Sequence, residues 1–230
     1  MTGRFVALEG IDGVGKTTLA GLVADLTYEQ WLAAPGREPS GVVFVPRRAR
    51  SGTSPFAAAL MEHLAQMLWH SGDSRDLEPA FWVTLQASWF TAHSTCVLGP
   101  VLDSGHDVVV DGWYYKFWSK LLGQGFRRED LETVFASARE PDHVVLLDAD
   151  VATVFDRRAD FRPTELGLHA GYGGLDRASF VDYQSRGLGV LKEMARERDW
   201  TTVAVAADET ARDTADSTRN AVLEALRRHG

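Results

Sequence analysis

The sequence is poor in cysteine, in lysine and in positive charge overall. One cysteine, Cys96, among 230 residues excludes an internal disulfide and a cysteine metal cluster, and its apolar neighbours predict a buried thiol. Only four of the 24 basic residues are lysines, so Lys16 is not one of many interchangeable cations. The net charge of −8 argues against nucleic acid or a membrane as a general partner, because no surplus of positive charge is available for phosphate groups.

Long apolar runs are missing as well. Glu9 and a glycine-rich loop interrupt the first apolar run, so no signal peptide is predicted, and no apolar run reaches the length of a membrane span. The hydrophobic fraction of 45% is that of a globular protein. We therefore expect one cytoplasmic domain, residues 1–230, that is large enough to enclose a core.

The clearest motif is GIDGVGKT at residues 10–17, which directly follows an apolar run. It matches the phosphate-binding loop pattern of Gly, four residues, Gly, Lys and Thr. Its glycines let backbone amides point at phosphate oxygens, Lys16 would reach the β- and γ-phosphates, and the Thr17 hydroxyl would ligate Mg²⁺. A helix that begins at Lys16 adds its positive end to the same site. The motif predicts a nucleoside triphosphate site formed by Gly10, Ile11, Asp12, Gly13, Val14, Gly15, Lys16, Thr17 and Thr18.

Short apolar segments alternate with segments of helical periodicity. An apolar or β-branched run of three to five residues between turn residues is typical of a buried strand, and alternation with helices predicts a parallel α/β sheet. A long amphipathic helix is predicted over residues 77–101. The five predicted strands are residues 5–8, 42–45, 108–110, 143–147 and 202–206.

Charged residues follow two of these predicted strands. Arg47 and Arg48 lie in the loop PRRARSGTS after the second strand, which is either a solvated surface turn or an anion clamp. The clamp has a physical basis, since ligands of parallel sheets bind beyond the carboxyl ends of the strands. Asp111 ends the third strand, where a catalytic carboxylate would lie.

Aromatic residues and two lysines come directly after Asp111. Trp113 opens a run with five aromatic residues in six positions, which is either core packing or includes the wall of a pocket for a planar ring. Lys116 and Lys120 are four residues apart and share one face of the helix that follows. Further along, residues 159–175 contain several glycines and a proline, and a loop of this length predicts a mobile lid.

Five segments, in this order, resemble the thymidylate kinase family of nucleoside monophosphate kinases, which are P-loop enzymes. The first segment is specific by itself, whereas the others depend on their order and spacing, and together they cover nearly the whole chain. The segments are FVALEGIDGVGKTT, FVPRRARSGT, VLDSGHDVVVD, PDHVVLLDADVATVFDRR and FVDYQSRGLGVLKEMA. The resemblance implies a P-loop kinase fold, ATP and Mg²⁺ as cofactors, and a homodimer formed through helices. The implied reaction transfers the ATP γ-phosphoryl group to the 5′-phosphate of a nucleoside monophosphate.

The resemblance also implies roles for individual residues. Lys16, Thr17 and the loop amides would hold the donor, and Arg47 or Arg48 would clamp the acceptor phosphate. Asp12 would contact the acceptor sugar or water bound to the metal. Closure over the transferring group would fall to an arginine near the lid: Arg157, Arg158 or Arg162.

Two departures from the family concern the acceptor half of the site. The family carries Asp-Arg at the end of the third strand, where this chain has Asp111-Gly112, and Lys116 is the nearest cation that would replace the arginine. The family also carries an arginine shortly before the position of His93, and here it is missing. These departures predict an acceptor other than ordinary thymidylate, or one that is held differently.

Two other functions fit parts of the sequence. A nucleoside kinase would phosphorylate a hydroxyl group and would need a carboxylate base, for which Glu9 or Asp111 would serve. A catalytically silent nucleotide-binding protein would explain the missing arginines, although the intact pair Lys16-Thr17 argues against it.

Overall fold

Six parallel strands form one sheet in the computed structural model, which describes residues 2–34, 36–71, 76–158, 160–206 and 211–227. The order across the sheet is β2-β3-β4-β1-β5-β6, so β1 lies at the centre. The strands are β1 (Phe5–Glu9), β2 (Leu26–Thr27), β3 (Val42–Val45), β4 (Asp107–Val110), β5 (His143–Ala149) and β6 (Thr201–Val205).

The predicted parallel α/β fold is confirmed, but the predicted number of five strands is wrong. The additional strand, β2, has two residues and pairs with Val43 and Phe44 of β3. The sequence pattern hid it because Leu26 continues the helical spacing of Leu19 and Leu22.

Helices cover both faces of the sheet. They are α1 (Lys16–Val23), α2 (Tyr28–Ala33), α3 (Pro55–Trp69), α4 (Pro79–His93), α5 (Gly99–Asp103), α6 (Tyr115–Leu122), α7 (Arg128–Phe135), α8 (Val151–Asp156), α9 (Arg177–Glu197) and α10 (Ala211–Arg227). A π-helical turn, Ser94–Leu98, joins α4 to α5, and a 3₁₀ turn, Leu168–Ala170, lies in the segment before α9. Each helix within the described ranges is too short or too polar to cross a membrane.

Alternate residues of β1, β3, β4 and β5 pack into two separate cores. Phe5 and Ala7 of β1 face the core that contains Trp89, while Val6 and Leu8 face the core that contains α1 and α10. This alternation follows from the two-residue period of a strand, and a sheet covered on both faces needs apolar residues at every position. The sheet therefore holds β1, β3 and β4 rigidly, and their carboxyl ends lie side by side.

Two predictions about the helices need correction. The predicted helix over residues 77–101 is interrupted by the π-helical turn, and Cys96 on that turn is half-buried rather than buried.

Gly3 packs so closely against the backbone of His106 that no side chain fits there. Its Cβ would lie 1.8 Å from the carbonyl oxygen of His106, so Gly3→Ala must move the backbone before β1. We expect a loss of about 2 kcal/mol in the free energy of unfolding, measured by urea denaturation. The control is Gly189→Ala on α9, where an added Cβ meets open space, with a gain of up to about 1 kcal/mol. Equal stability of Gly3→Ala and the unsubstituted protein would contradict this packing.

Candidate active site

The loop between β1 and α1 has the backbone of an anion-binding cradle. Gly10, Gly13 and Gly15 all have positive φ angles, of 148°, 83° and 98°. At Gly10 a side chain is excluded by space as well, because a Cβ would lie 2.8 Å from the carbonyl oxygen of Leu147 on β5. The glycines of the motif thus allow the tight turn that directs backbone amides towards one point.

Lys16 lies inside this loop rather than in solvent. Its Nζ donates to the carbonyl oxygens of Gly10 at 2.8 Å and Ile11 at 2.7 Å, and the residue is buried. Burial lowers the pKa of Lys16, while the carboxylates of Asp12 and Glu9 oppose this shift. The ammonium group therefore already lies at the site, close to where phosphate oxygens would contact the loop amides.

Asp111 connects the phosphate loop to the arginine loop. Its Oδ2 accepts a hydrogen bond from Thr17 Oγ1 at 2.5 Å, and its Oδ1 accepts one from the backbone N–H of Arg47 at 2.6 Å. A hydroxyl and a carboxylate are hard oxygen ligands, and Mg²⁺ is held in proteins by one or two such groups together with phosphates and water. In the described part of the chain no cluster of three or more His, Cys, Asp or Glu side chains could hold a metal alone. The donor set at Thr17 and Asp111 thus fits Mg²⁺ that arrives with a nucleotide.

Asp12 is shared by two lysines of α6. Its Oδ1 accepts from Lys116 Nζ at 2.5 Å and its Oδ2 from Lys120 Nζ at 2.7 Å, while Gln184 Nε2 donates to Oδ2 at 3.2 Å. Burial would raise the pKa of Asp12, but the two lysines outweigh it and hold this pKa well below its usual range. Both carboxylate oxygens predicted to contact a sugar or a metal-bound water are occupied by ammonium groups in this conformation.

The two lysines differ in their electrostatics. Burial lowers the pKa of Lys116 to about 7, although Asp12 opposes the shift. Burial also lowers the pKa of Lys120, but the attraction of the Asp12 carboxylate outweighs burial, so that this pKa is raised. In the sequence, Lys120 stands out only as a neighbour of Lys116 on the same helix face, and Gln184, 172 residues from Asp12, carries no signal of a role in the site.

The arginine loop after β3 directs positive charge towards the site. Arg48 places its guanidinium 4.8 Å from the centre of the Trp69 ring. Burial, together with the charges of Arg47 and Arg162, lowers the pKa of Arg48 to about 10. Arg50 in the same loop instead pairs with Glu62 at the surface, 2.8 Å away. Arg47, Arg48 and Arg162 therefore lie close enough together for the charges of the other two to act on Arg48, and these three residues are the cationic cluster referred to below.

The two arginines after α8 point in different directions. Arg158 lies over the phosphate loop, since a Cβ on Gly13 would be 3.7 Å from its Nη1, and it pairs with Glu165 at 3.2 Å. Arg157 donates from Nη2 to the carbonyl oxygen of Ala206 at 3.1 Å, beyond the end of β6. Of this pair, the structure places Arg158 at the loop. The predicted lid, residues 159–175, begins at Ala159, which lies outside the described residues.

Gly112 leaves space between two cations. Its φ is 118°, and a Cβ there would lie 3.5 Å from Lys16 Cε and 3.8 Å from Arg47 Cδ.

Trp113, predicted as a pocket wall, is fully buried and its ring contacts Phe5, Phe90 and His93. The structure therefore places the Trp113 ring in the core.

Glu9, which the sequence suggested only as a base, lies fully buried at the centre of the site. Its Oε1 accepts from the backbone N–H of Trp113 at 2.9 Å, and its Oε2 has no hydrogen-bond partner among the described residues. Burial raises the pKa of Glu9, and the charges of Lys16 and Lys116 oppose this shift. Glu9 thus supplies a carboxylate between the cations of the phosphate loop and of α6.

The chain is similar to curated thymidylate kinases over nearly its whole length. It is 30% identical to that of Synechococcus sp. (strain CC9311) over 229 residues, which cover 96% of each chain. It is also 30% identical to that of Prochlorococcus marinus (strain MIT 9313) over 236 aligned residues, covering 100% of this chain and 96% of that one. No family model matches the chain.

Among solved structures, the chain resembles the crystal structure of thymidylate kinase from Ehrlichia chaffeensis. The TM-score is 0.62, and the match covers 99% of this chain and 100% of that one. Sequence identity is 16%, so this likeness shows the fold alone.

The shared carboxylate predicts a large cost when Asp12 is neutralised. Asp12→Asn leaves Lys116 and Lys120 next to each other, buried and without their counter-charge, and we expect a loss of about 3 kcal/mol in the free energy of unfolding. The control is Asp182→Asn, which removes an exposed pair with Arg186 and should cost less than about 1 kcal/mol. Urea denaturation measures both, and similar losses in the two variants would contradict the buried cluster.

Proposed function

The chain belongs to the thymidylate kinase family of nucleoside monophosphate kinases, and we propose that it transfers the γ-phosphoryl group of ATP, with Mg²⁺, to the 5′-phosphate of a nucleoside monophosphate. One observation carries this proposal. The phosphate loop, the arginine loop after β3 and the lysine face of α6 meet at the same edge of the sheet, linked by Asp111 and Asp12. Phosphoryl transfer needs mainly alignment and charge neutralisation, and these groups offer both.

The donor half consists of residues 10–18. The loop amides and Lys16 bind the donor phosphates, for which the Lys16 ammonium leaves the carbonyl oxygens of Gly10 and Ile11. Thr17 and Asp111 are the residues that would hold Mg²⁺. When bound, the ion neutralises charge that develops on the phosphates.

The acceptor half consists of the cationic cluster of Arg47, Arg48 and Arg162. One guanidinium group can donate hydrogen bonds to two phosphate oxygens at once, and it stays charged at neutral pH. Both properties suit an acceptor that already carries a phosphate. Arg158, above the phosphate loop, closes over the transferring group together with the lid, residues 160–175.

Lys116 takes the place of the arginine that the family carries after the acidic end of the third strand. Gly112 leaves the space beside Lys16 and Arg47 free, and Lys116 approaches from α6 to within 2.5 Å of Asp12. An ammonium group is a point charge, whereas guanidinium is a planar fork. In this proposal the acceptor phosphate is therefore bound in a different way from the phosphate of thymidylate in the rest of the family. An acceptor with a base or sugar other than those of thymidylate is compatible with this site.

The protein works as a cytoplasmic homodimer in this proposal. Supporting this, α3 exposes Phe56, Leu60 and Met67, with 78%, 46% and 41% of their surfaces accessible. Residues 56, 60 and 67 recur at helical spacing and form one apolar stripe, which a second copy would cover.

A nucleoside kinase is the second candidate, and one observation favours it. Glu9 keeps one buried oxygen without a hydrogen-bond partner among the described residues, as a base waiting for a hydroxyl proton would. The cluster of Arg47, Arg48 and Arg162 argues against it, because a nucleoside brings no phosphate to that place.

A substrate panel separates these candidates. The protein is incubated with ATP, Mg²⁺ and, separately, nucleosides and nucleoside 5′-monophosphates, and ADP release is measured. We expect turnover with one or more monophosphates and none with nucleosides, because the arginine cluster needs the phosphate. Turnover with nucleosides alone would replace the proposal by the second candidate, and ATP binding without any turnover would indicate a catalytically silent protein.

The replacement role of Lys116 predicts a pH dependence. Burial lowers the pKa of Lys116 to about 7, so its positive charge is present below pH 7 and is lost as the pH rises through that value. We expect kcat/KM for the acceptor to fall above about pH 7, because this parameter reports the free enzyme. Lys116→Arg keeps its charge and should abolish the fall, whereas Lys116→Ala should lower kcat/KM by about 10- to 100-fold at pH 6.

The control for Lys116 is Lys192→Ala on α9, where the lysine pairs at the surface with Asp148. It should leave both kcat/KM and its pH profile unchanged. An unchanged kcat/KM in Lys116→Ala would refute the replacement.

A further inference from the structure

A cavity lies beside the proposed acceptor site. It has a volume of about 310 Å³ and is enclosed by α6, the turn Leu168–Ala170 and α9. The residues that matter for its chemistry are Ser119, Lys120, His169, Tyr172, Tyr183 and Arg186. Ligand sites in proteins start at about this size, so the space suits part of a nucleotide.

Lys120 joins this cavity to the phosphate loop. Its ammonium bonds Asp12 at 2.7 Å, and the same group lies 5.1 Å from the centre of the Tyr183 ring, which lines the cavity. Lys120 therefore contacts both Asp12 and the wall of the cavity.

The cavity carries more positive than negative charge. Lys116 and Lys120 share the single carboxylate of Asp12, so below about pH 7, where Lys116 is charged, one ammonium charge of that cluster is not balanced by Asp12. At the opening, Arg186 pairs with Asp182 at 3.0 Å, and the hydroxyl of Tyr172 donates to the same carboxylate. Asp182 thus balances Arg186, and Glu165, whose charge also acts on Lys120, is paired with Arg158, so a further anion is favourable next to Lys120.

We propose that this cavity extends the acceptor site and receives a second anionic group of the acceptor nucleotide, a phosphate or a carboxylate, between Lys120 and Arg186. The inference rests on the proposed function and narrows it to acceptors that carry one more anionic group than a simple monophosphate. Charge-assisted hydrogen bonds to two cations supply the recognition, and the rings of Tyr172 and Tyr183 form the apolar wall.

Two matched pairs of acceptors test the proposal on the full chain. Thymidine 3′,5′-bisphosphate and thymidine 5′-monophosphate differ by one phosphate, and orotidine and uridine 5′-monophosphates differ by one ring carboxylate. Dissociation constants are measured by calorimetry in the presence of Mg²⁺ and a non-hydrolysable ATP analogue. We expect the more anionic member of one pair to bind about 10-fold more tightly, and the pair that shows this identifies the group.

Variants locate the effect in the cavity. Gly187→Leu projects its side chain from α9 into this space, where a Cβ lies 3.5 Å from Ser119 Oγ, and Arg186→Ala removes one cation. In both, the preference within the pair should fall to about 2-fold or less. Gly189→Leu and Arg196→Ala, on the same helix but away from the cavity, should keep the preference.

Each outcome decides the proposal. If monophosphates are phosphorylated but neither pair shows a preference, the second anion site is refuted and the proposed function stands. A preference that survives in Gly187→Leu and Arg186→Ala refutes this cavity as the site. If the protein neither binds nor phosphorylates any member of the panel, the proposed function and the inference fail together.

Discussion

Asp111 holds the ends of three strands in fixed relation, and the candidate site depends on this one carboxylate. It accepts hydrogen bonds from Thr17, which follows β1, and from the backbone of Arg47, which follows β3, while Asp111 itself directly follows β4. The arginine loop is fixed further because Trp89 donates to the carbonyl oxygen of Arg47 at 3.1 Å. The donor and acceptor halves are therefore positioned by the sheet and not by flexible side chains.

A local excess of positive charge would allow an acidic protein to offer a site for anions. The cationic side chains of the site are Lys16, Arg47, Arg48, Lys116, Lys120, Arg158 and Arg162, and the carboxylates among them are Glu9, Asp12, Asp111 and Glu165. The basic side chains of the site outnumber its carboxyl groups by seven to four, although the whole chain carries a net charge of −8. This local excess of positive charge would favour the binding of phosphate groups, and bound phosphate would in turn stabilise the folded protein.

Sequence patterns predicted the sheet, the helix after the phosphate loop and the family, and these predictions are confirmed. Two elements escaped the patterns for physical reasons. The strand Leu26–Thr27 is too short to show a period of two, and the π-helical turn Ser94–Leu98 preserves the apolar character of the helix around it. The roles of Lys16, Arg48 and Lys116 stay predictions, because ligand contacts decide them.

The sequence alone determined the phosphate loop, because its chemistry needs only consecutive residues: glycines for the turn, then Lys16 and Thr17. Tertiary structure decided the neighbours of Asp12. Lys116 and Lys120 come from 104 and 108 residues away, and Gln184 from 172, since packing of α6 and α9 brings them together. It also decided that Trp113 belongs to the core and that a cavity lies behind Lys120. Local sequence patterns do not show which residues distant in the chain come into contact, because the packing of helices on the sheet determines these contacts.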